Sequence, residues 1–358
     1  MNINLVGPIN STSYGLVNLN ILKSITDLGH CVSLFPITIH KDISEHFLPY
    51  IQQAIQNAKN PDLYAPCIRI WHQFDMSLFA GNGLKIGFPI FELDGFTEIE
   101  INHLNSLQYC FVCSEWAKDL LIKHTVLKSN QISVIPLAAD DKIFYPKSSQ
   151  LNDKIYKFLN VGKWEVRKGH DILPDIFSSA FSKNDNVQLL MCNHNIHLND
   201  NDNKDWERYY LSKIPKHQIK FIPRLSTQEE LSNLINSVDC GVFPSRAEGW
   251  NLEAIEMLAC GKDIIITNVT GHTEYCKDLP YIVNLPNKES AFDGKWFFNQ
   301  GLWHNISQKE QEIMSELMFS AYKNKGKFYE SNIQLAKKFN WNETARTIIN
   351  SLQNVAGK

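Results

Sequence analysis

Glu248 and Glu256 bracket the stretch Glu-Gly-Trp-Asn-Leu-Glu-Ala-Ile-Glu, which directly follows the apolar run Cys240-Gly241-Val242-Phe243-Pro244 and the residues Ser245-Arg246-Ala247. An ionised carboxylate only accepts hydrogen bonds and can take two at once, so the pair suits sugar and ribose hydroxyls. Asn251 is placed to cap a helix that begins at Leu252 and ends at Gly261. Glu248 then lies in the approach loop, and Glu256 sits more than one turn inside the helix, roughly 7 Å along the axis from Asn251. Between them fall backbone amides without intrahelical partners, at the positive end of the helix dipole, where a diphosphate would find donors. Gly249, Trp250, Asn251 and Leu252 are therefore counted with Glu256 as candidates for holding such a ligand.

A second cluster lies at Val161-Gly162-Lys163-Trp164-Glu165-Val166-Arg167-Lys168-Gly169-His170. Lys163, Arg167 and Lys168 could neutralise a departing diphosphate without a metal. The plainer alternative is a solvated basic loop paired with Glu165. The glycine spacing and missing hydroxyl residue exclude a phosphate loop of the Gly-x-x-x-x-Gly-Lys-Ser/Thr kind. Near the amino terminus, Gly7-Pro8-Ile9-Asn10-Ser11-Thr12-Ser13-Tyr14-Gly15 offers small and hydroxyl residues at a strand-to-helix turn. Asn10, Ser11, Ser13, Tyr14 and Gly15 are candidates for a substrate contact there, against the alternative of an ordinary capped turn. His72 in Trp71-His72-Gln73-Phe74-Asp75 could hydrogen-bond a reacting hydroxyl or serve only as structure. Glu92 in Phe91-Glu92-Leu93-Asp94-Gly95 could face an acceptor, while Asp94 could cap a helix. Asn193 and Arg224 of the Ile222-Pro223-Arg224 turn fall at two further strand ends.

The elements that must position these residues alternate as in doubly wound sheets. First-half strands are expected at Ile3–Val6, Cys31–Phe35, Ile68–Trp71, Lys85–Phe91, Tyr109–Cys113 and Ile132–Ile135, with helices clearest at Gly15–Leu28 and Trp116–Leu127. Second-half strands are expected at Lys157–Val161, Val187–Cys192, Ile219–Ile222, Cys240–Phe243 and Asp263–Thr267. The polar run Ser148–Asp153 reads as a linker, and Asn195–Asp205 as a surface loop. This gives an α/β fold of two Rossmann-like domains facing across a cleft, spanning 1–148 and 149–338. The segment 339–358 is expected to return to the first domain through a helix kinked near Asn340-Trp341-Asn342. In such sheets ligands bind beyond the carboxyl ends of the strands, where every candidate above falls.

The chain of 358 residues exceeds one ordinary domain, and 44% apolar and 20% charged residues suit globular cores. A formal charge of −3 gives no general argument for nucleic acid or an anionic membrane. No run of about 20 apolar residues and no signal peptide is visible, so a soluble cytoplasmic protein is the expectation, with peripheral membrane contact left open. Cys110 and Cys113 fall in a buried-strand pattern that points their thiols apart, so the eight cysteines read as reduced core residues and no metal site is expected.

The ordered set of motifs resembles the family 4 retaining glycosyltransferases of the GT-B fold over most of the chain. It comprises Glu248 and Glu256 with Phe243-Pro244-Ser245 and Ala259-Cys260-Gly261-Lys262, Gly162-Lys163 with Lys168-Gly169, Ser114-Glu115-Trp116-Ala117, the Pro136–Pro146 passage and Phe339-Asn340-Trp341. The resemblance implies that Glu248 contacts the donor sugar, Glu256 the ribose, Lys163, Lys168 and the Asn251 and Leu252 amides the phosphates, His72 the transferred sugar, and that the base sits near Asn193 and Arg224. It implies a nucleotide diphosphate sugar as donor, a carbohydrate or glycoconjugate acceptor, and no cofactor. Three departures stand out: Lys163 where arginine is common, Gly249-Trp250-Asn251-Leu252 in place of a Phe-Gly-Leu-Val type segment, and a first loop poor in glycine. Lysine keeps the charge but lacks the bidentate fork. A sugar-nucleotide 2-epimerase of the same architecture and a non-catalytic nucleotide-sugar-binding module are the alternatives.

Overall fold

The computed structural model describes residues 1–40, 43–147 and 154–356, in two compact units, Met1–Asp140 with Phe339–Lys358 and Asp141–Lys338. The expected linker Ser148–Asp153, and with it the junction at 148/149, lies outside the described residues.

The first unit winds β1 (Asn2–Ile9), α1 (Ser13–Asp27), β2 (Cys31–Ile39), α2 (Leu48–Asn57), β3 (Cys67–Ile70), β4 (Lys85–Phe88), α3 (Glu98–Asn105), β5 (Tyr109–Val112), α4 (Glu115–His124) and β6 (Ile132–Val134). The six strands form one sheet in the order β2-β1-β3-β4-β5-β6, all parallel. Strands covered on both faces need apolar side chains throughout, which is why Ile68, Ile70, Ile86, Phe88, Cys110 and Phe111 are all fully buried. Cys113 is buried as well, and all eight cysteines are free thiols.

The second unit contains β7 (Tyr156–Gly162), α5 (Leu173–Ala180), β8 (Val187–Asn193), α6 (Asp200–Lys213), β9 (Ile219–Phe221), α7 (Gln228–Asn236), β10 (Cys240–Phe243), α8 (Leu252–Ala259), β11 (Asp263–Asn268) and β12 (Ile282–Asn284). Its parallel sheet runs β12-β11-β10-β7-β8-β9. An antiparallel hairpin, β13 (Lys288–Phe292) with β14 (Phe298–His304), follows, then α9 (Gln308–Lys323) and α10 (Tyr329–Ala336). Phe158, Leu189, Val242 and Ile265 form the centre of its core.

Four expectations are corrected. The stretch Asn195–Asp205 is loop only as far as Asn199: α6 starts at Asp200, and Asn195 and Asn203 are buried, the Asn203 side chain accepting from the Asn195 amide at 2.9 Å and donating to its carbonyl at 3.1 Å. Thr97, not Asp94, caps α3, through a reciprocal box with Glu100. The hairpin and β12 had no expected counterpart. Finally, the carboxyl-terminal segment is two helices rather than one kinked helix. After α10 the chain resumes as α11 (Trp341–Ala356), which packs on α1 within the first unit. Its buried residues Ala345, Ile348, Ile349 and Leu352 follow a helical apolar stripe.

Candidate functional site

Within the second unit, three loops at the carboxyl ends of β7, β10 and β11 are tied together. The loop after β7 makes a short 3-10 turn, Val166–Lys168, closed by Gly169 in the left-handed region. The loop after β10 carries Ser245–Asn251 into α8, and the loop after β11 supplies Thr270 to Glu274 as a second 3-10 turn. Arg246 N–H donates to the Arg167 carbonyl at 2.7 Å, and the Arg246 guanidinium grips Asp171 with two bonds of 2.8 Å. The Thr270 hydroxyl donates to the Glu248 carbonyl at 2.7 Å and accepts from the Glu248 amide at 2.8 Å.

Glu248 is 4% exposed at the centre of this arrangement. Its Oε1 accepts from Lys168 Nζ at 2.8 Å and from the Ser245 hydroxyl at 2.9 Å, and its Oε2 accepts from Arg167 at 2.8 Å. Burial alone would push the carboxyl up, but the charges of Arg167 and Lys168 outweigh it and hold Glu248 well below the usual carboxylate range. Burial likewise acts to lower the Lys168 ammonium, and Glu248 overrides it, so Lys168 is raised. Arg167 also donates to the Ala247 carbonyl at 2.6 Å and to Glu165 Oε2 at 2.8 and 3.2 Å. Lys163, 47% exposed at its side chain, pairs with Glu165 at 3.1 Å. The basic loop is thus neither freely solvated nor wholly open to a ligand.

On α8 the Asn251 side chain accepts from the Ala254 amide at 3.3 Å, the N-cap its residue type suggests. Its Nδ2 meets His272 Nε2, and His272 Nδ1 faces the Thr267 carbonyl, so neutral His272 donates from Nδ1 and accepts at Nε2. Burial lowers His272 to about 4. Gly249, Trp250 and Leu252 are buried, and Trp250 packs on Tyr275, whose hydroxyl bonds the Trp250 carbonyl. Asn193, at the end of β8, donates to Asn160 at 2.8 Å and to the Gly162 carbonyl, leaving its buried Oδ1 without a partner. Arg224 is exposed.

Glu256 is 4% exposed and its Oε2 has no hydrogen-bond partner. Burial, reinforced by Glu253, raises it well above the usual range, which keeps it protonated. The folded state therefore holds a proton that the unfolded chain releases above about pH 4.3. Stability from this group is complete below that pH and falls as pH rises toward the folded pKa. Glu256→Gln is expected to remove that decline, so urea midpoints should favour the variant progressively more as pH rises above about 5. A pH-independent difference would contradict a buried neutral acid.

Within the first unit, the Asn10 side chain accepts from the Thr12 amide and hydroxyl at 3.0 and 2.6 Å, closing the turn into α1. Gly15 permits it: a Cβ there would lie 2.2 Å from the Asn10 carbonyl. Ser11 is half-buried and Ser13, the first residue of α1, is exposed. The Tyr14 hydroxyl donates to the Ile90 carbonyl at 2.7 Å, and its ring lies 4.6 Å from His72, which stacks on Phe74 at 5.1 Å. Burial, then the Glu92 charge, raises the Tyr14 hydroxyl well above its ordinary value. Tyr14, His72 and Glu92 are thus brought into one neighbourhood.

Residues 141–294 match the family described as glycosyl transferases group 1. The capsular polysaccharide biosynthesis glycosyltransferase CapM of Staphylococcus aureus is 29% identical over 169 residues, 44% of this chain and 43% of that protein. Mannosylfructose-phosphate synthase of Agrobacterium fabrum is 26% identical over 165 residues, 42% of this chain and 35% of that protein. The chain therefore matches less than half the length of either curated relative. HepE of Anabaena in complex with UDP-glucose has a TM-score of 0.70 at 14% identity, covering 99% of this chain and 100% of that one. The fold is that of the GT-B glycosyltransferases.

Several residues of this GT-B second unit escaped sequence reasoning. Arg246, Thr270 and His272 fix the Glu248 loops, and their only signal is a position just past a strand, while Ser245, which bonds Glu248 itself, was visible only as part of the Phe243-Pro244-Ser245 motif. His170 accepts from the Glu165 amide at 3.0 Å and meets Asn160 at 2.9 Å, with burial and the Lys168 charge lowering it to about 3. Gly169 carried a signal of a different kind. At φ +76° its Cβ would stand 2.1 Å from the Pro244 carbonyl, so no side chain fits between the two loops. Gly169→Ala is expected to cost about 1–3 kcal/mol, read from denaturant midpoints. Among the described residues, no group of three or more His, Cys, Asp or Glu could hold a metal ion, and no helix is long and apolar enough to cross a membrane.

Proposed function

We propose that this protein is a family 4 retaining glycosyltransferase that moves a hexose-type sugar from a nucleotide diphosphate donor to a carbohydrate or glycoconjugate hydroxyl, in the cytoplasm and without a metal. The observation that carries the reading is the Glu248 junction. A buried carboxylate is held there by two cations, one of which, Lys168, keeps 11% of its side chain exposed. On the helix that follows, Glu256 keeps one buried oxygen unpartnered.

In this reading Lys168 takes the donor diphosphate, Glu248 accepts from sugar hydroxyls, and Glu256 meets the ribose. The C1–phosphate bond breaks, the acceptor oxygen bonds C1 on the same face, and the acceptor proton passes to the departing phosphate oxygen. Lys168 stabilises the charge that develops there. His72, from the resemblance, contacts the transferred sugar.

UDP-glucose is the first probe, because HepE binds it in its crystal structure. The protein is incubated with UDP-, GDP- and ADP-linked hexoses and an oligosaccharide acceptor panel, and the products are resolved by NMR. An α-linked product from an α-linked donor supports the reading. An inverted linkage overturns retention, and an isomerised donor formed without acceptor overturns transfer.

A further inference from the structure

The two cations on Glu248 are not equivalent. Arg167 is 4% exposed and makes four bonds into protein, to the Ala247 carbonyl, Glu248 Oε2 and twice to Glu165 Oε2. Its loop is pinned as well: its own carbonyl accepts from the Arg246 amide at 2.7 Å, and Arg246 is anchored on Asp171. Lys168 makes one ion pair at Glu248 Oε1, and its ammonium is carried by a flexible four-carbon stem. Moving Arg167 to a ligand would strip a partner from two buried carboxylates, which is expensive. Moving Lys168 exposes one oxygen of Glu248, which still keeps the Ser245 hydroxyl at 2.9 Å.

We propose that Arg167 is a positioning residue that never touches the donor. It fixes Oε2 of Glu248, so that Oε1, once Lys168 turns to the diphosphate, is the single oxygen presented to the donor sugar. This rests on the donor reading given under Proposed function. The carboxylate is then pre-set rather than free to rotate, and the sugar meets an acceptor whose orientation is already fixed. Arrival of the diphosphate is what uncovers that acceptor, so recognition of the sugar follows recognition of the phosphates.

The test compares two ligands that differ by the sugar alone. Binding of UDP and of UDP-glucose is measured by titration calorimetry on wild type, Arg167→Gln and Arg167→Lys. Arg167→Gln is expected to weaken UDP-glucose about tenfold or more while UDP stays within about threefold, because only the sugar depends on Glu248 orientation. Arg167→Lys keeps the charge but loses the fork and is expected to recover part of the loss. Equal weakening of both ligands would make Arg167 a phosphate contact, and no change in either would leave it without a positioning role; both results overturn the inference. Should Arg167→Gln fail to fold, the same comparison on Arg167→Lys decides. If wild type binds neither ligand, nor GDP, ADP and their hexose derivatives, the donor reading itself falls. Wild-type binding with an unaltered sugar preference in the variants sinks the Arg167 assignment alone.

Discussion

Lys168→Ala is expected to lower turnover at saturating donor by about 10²–10³-fold, the range seen when one group that stabilises a developing anion is removed. Lys168 is the cation on the Glu248 junction with both residual exposure and a movable stem, whereas Arg167 is enclosed. Arg167 still holds Glu248 in the variant, so the fold should survive and the loss should appear in turnover rather than in yield. Initial rates at several donor concentrations check this. Near-normal turnover would remove Lys168 from the chemistry.

The second large effect falls on stability. Glu248→Ala leaves Lys168 without its carboxylate and strips Arg167 of one of two, where Arg167 is 4% and Lys168 11% exposed at the side chain. Removing one partner of a buried pair costs about 3–5 kcal/mol. Chemical denaturation of wild type and variant measures it. The double variant Glu248→Ala with Lys168→Met should regain part of the loss, since the stranded ammonium is gone. If the double variant is less stable than the single one, the penalty does not come from an uncompensated charge. Glu165 keeps Arg167 paired throughout, which places the expectation toward the lower end of the range.

Much of the fold was legible because parallel strands buried on both faces are written as unbroken apolar runs. Lys157–Val161, Val187–Cys192, Cys240–Phe243 and Asp263–Thr267 all correspond to β7, β8, β10 and β11 to within a residue or two. The hairpin was not legible, since β13 and β14 alternate weakly and leave Phe292 and Phe298 exposed at 55% and 59%. Asn195–Asp205 misled for a related reason: asparagines normally signal solvent, but the Asn203 side chain is used inside the structure to satisfy the Asn195 amide and carbonyl. At the site, spacing singled out Glu248, Arg167 and Lys168, and the structure bonds both cations to Glu248. Their division of labour could not be read from it. Nothing in Val166-Arg167-Lys168 says which cation faces inward; that depends on the 3-10 turn and on how closely Gly169 lies against Pro244.

The docking of α11 on α1 has a consequence for synthesis. A ribosome releases the second unit as one uninterrupted stretch, whereas the first unit is short of a helix until Trp341–Ala356 emerges. The earlier-made lobe must therefore wait, with the flank of α1 uncovered, while the later-made lobe assembles. Order of translation and order of completion are reversed for the two units, and the longer exposure to chaperones or proteases should fall on the unit made first.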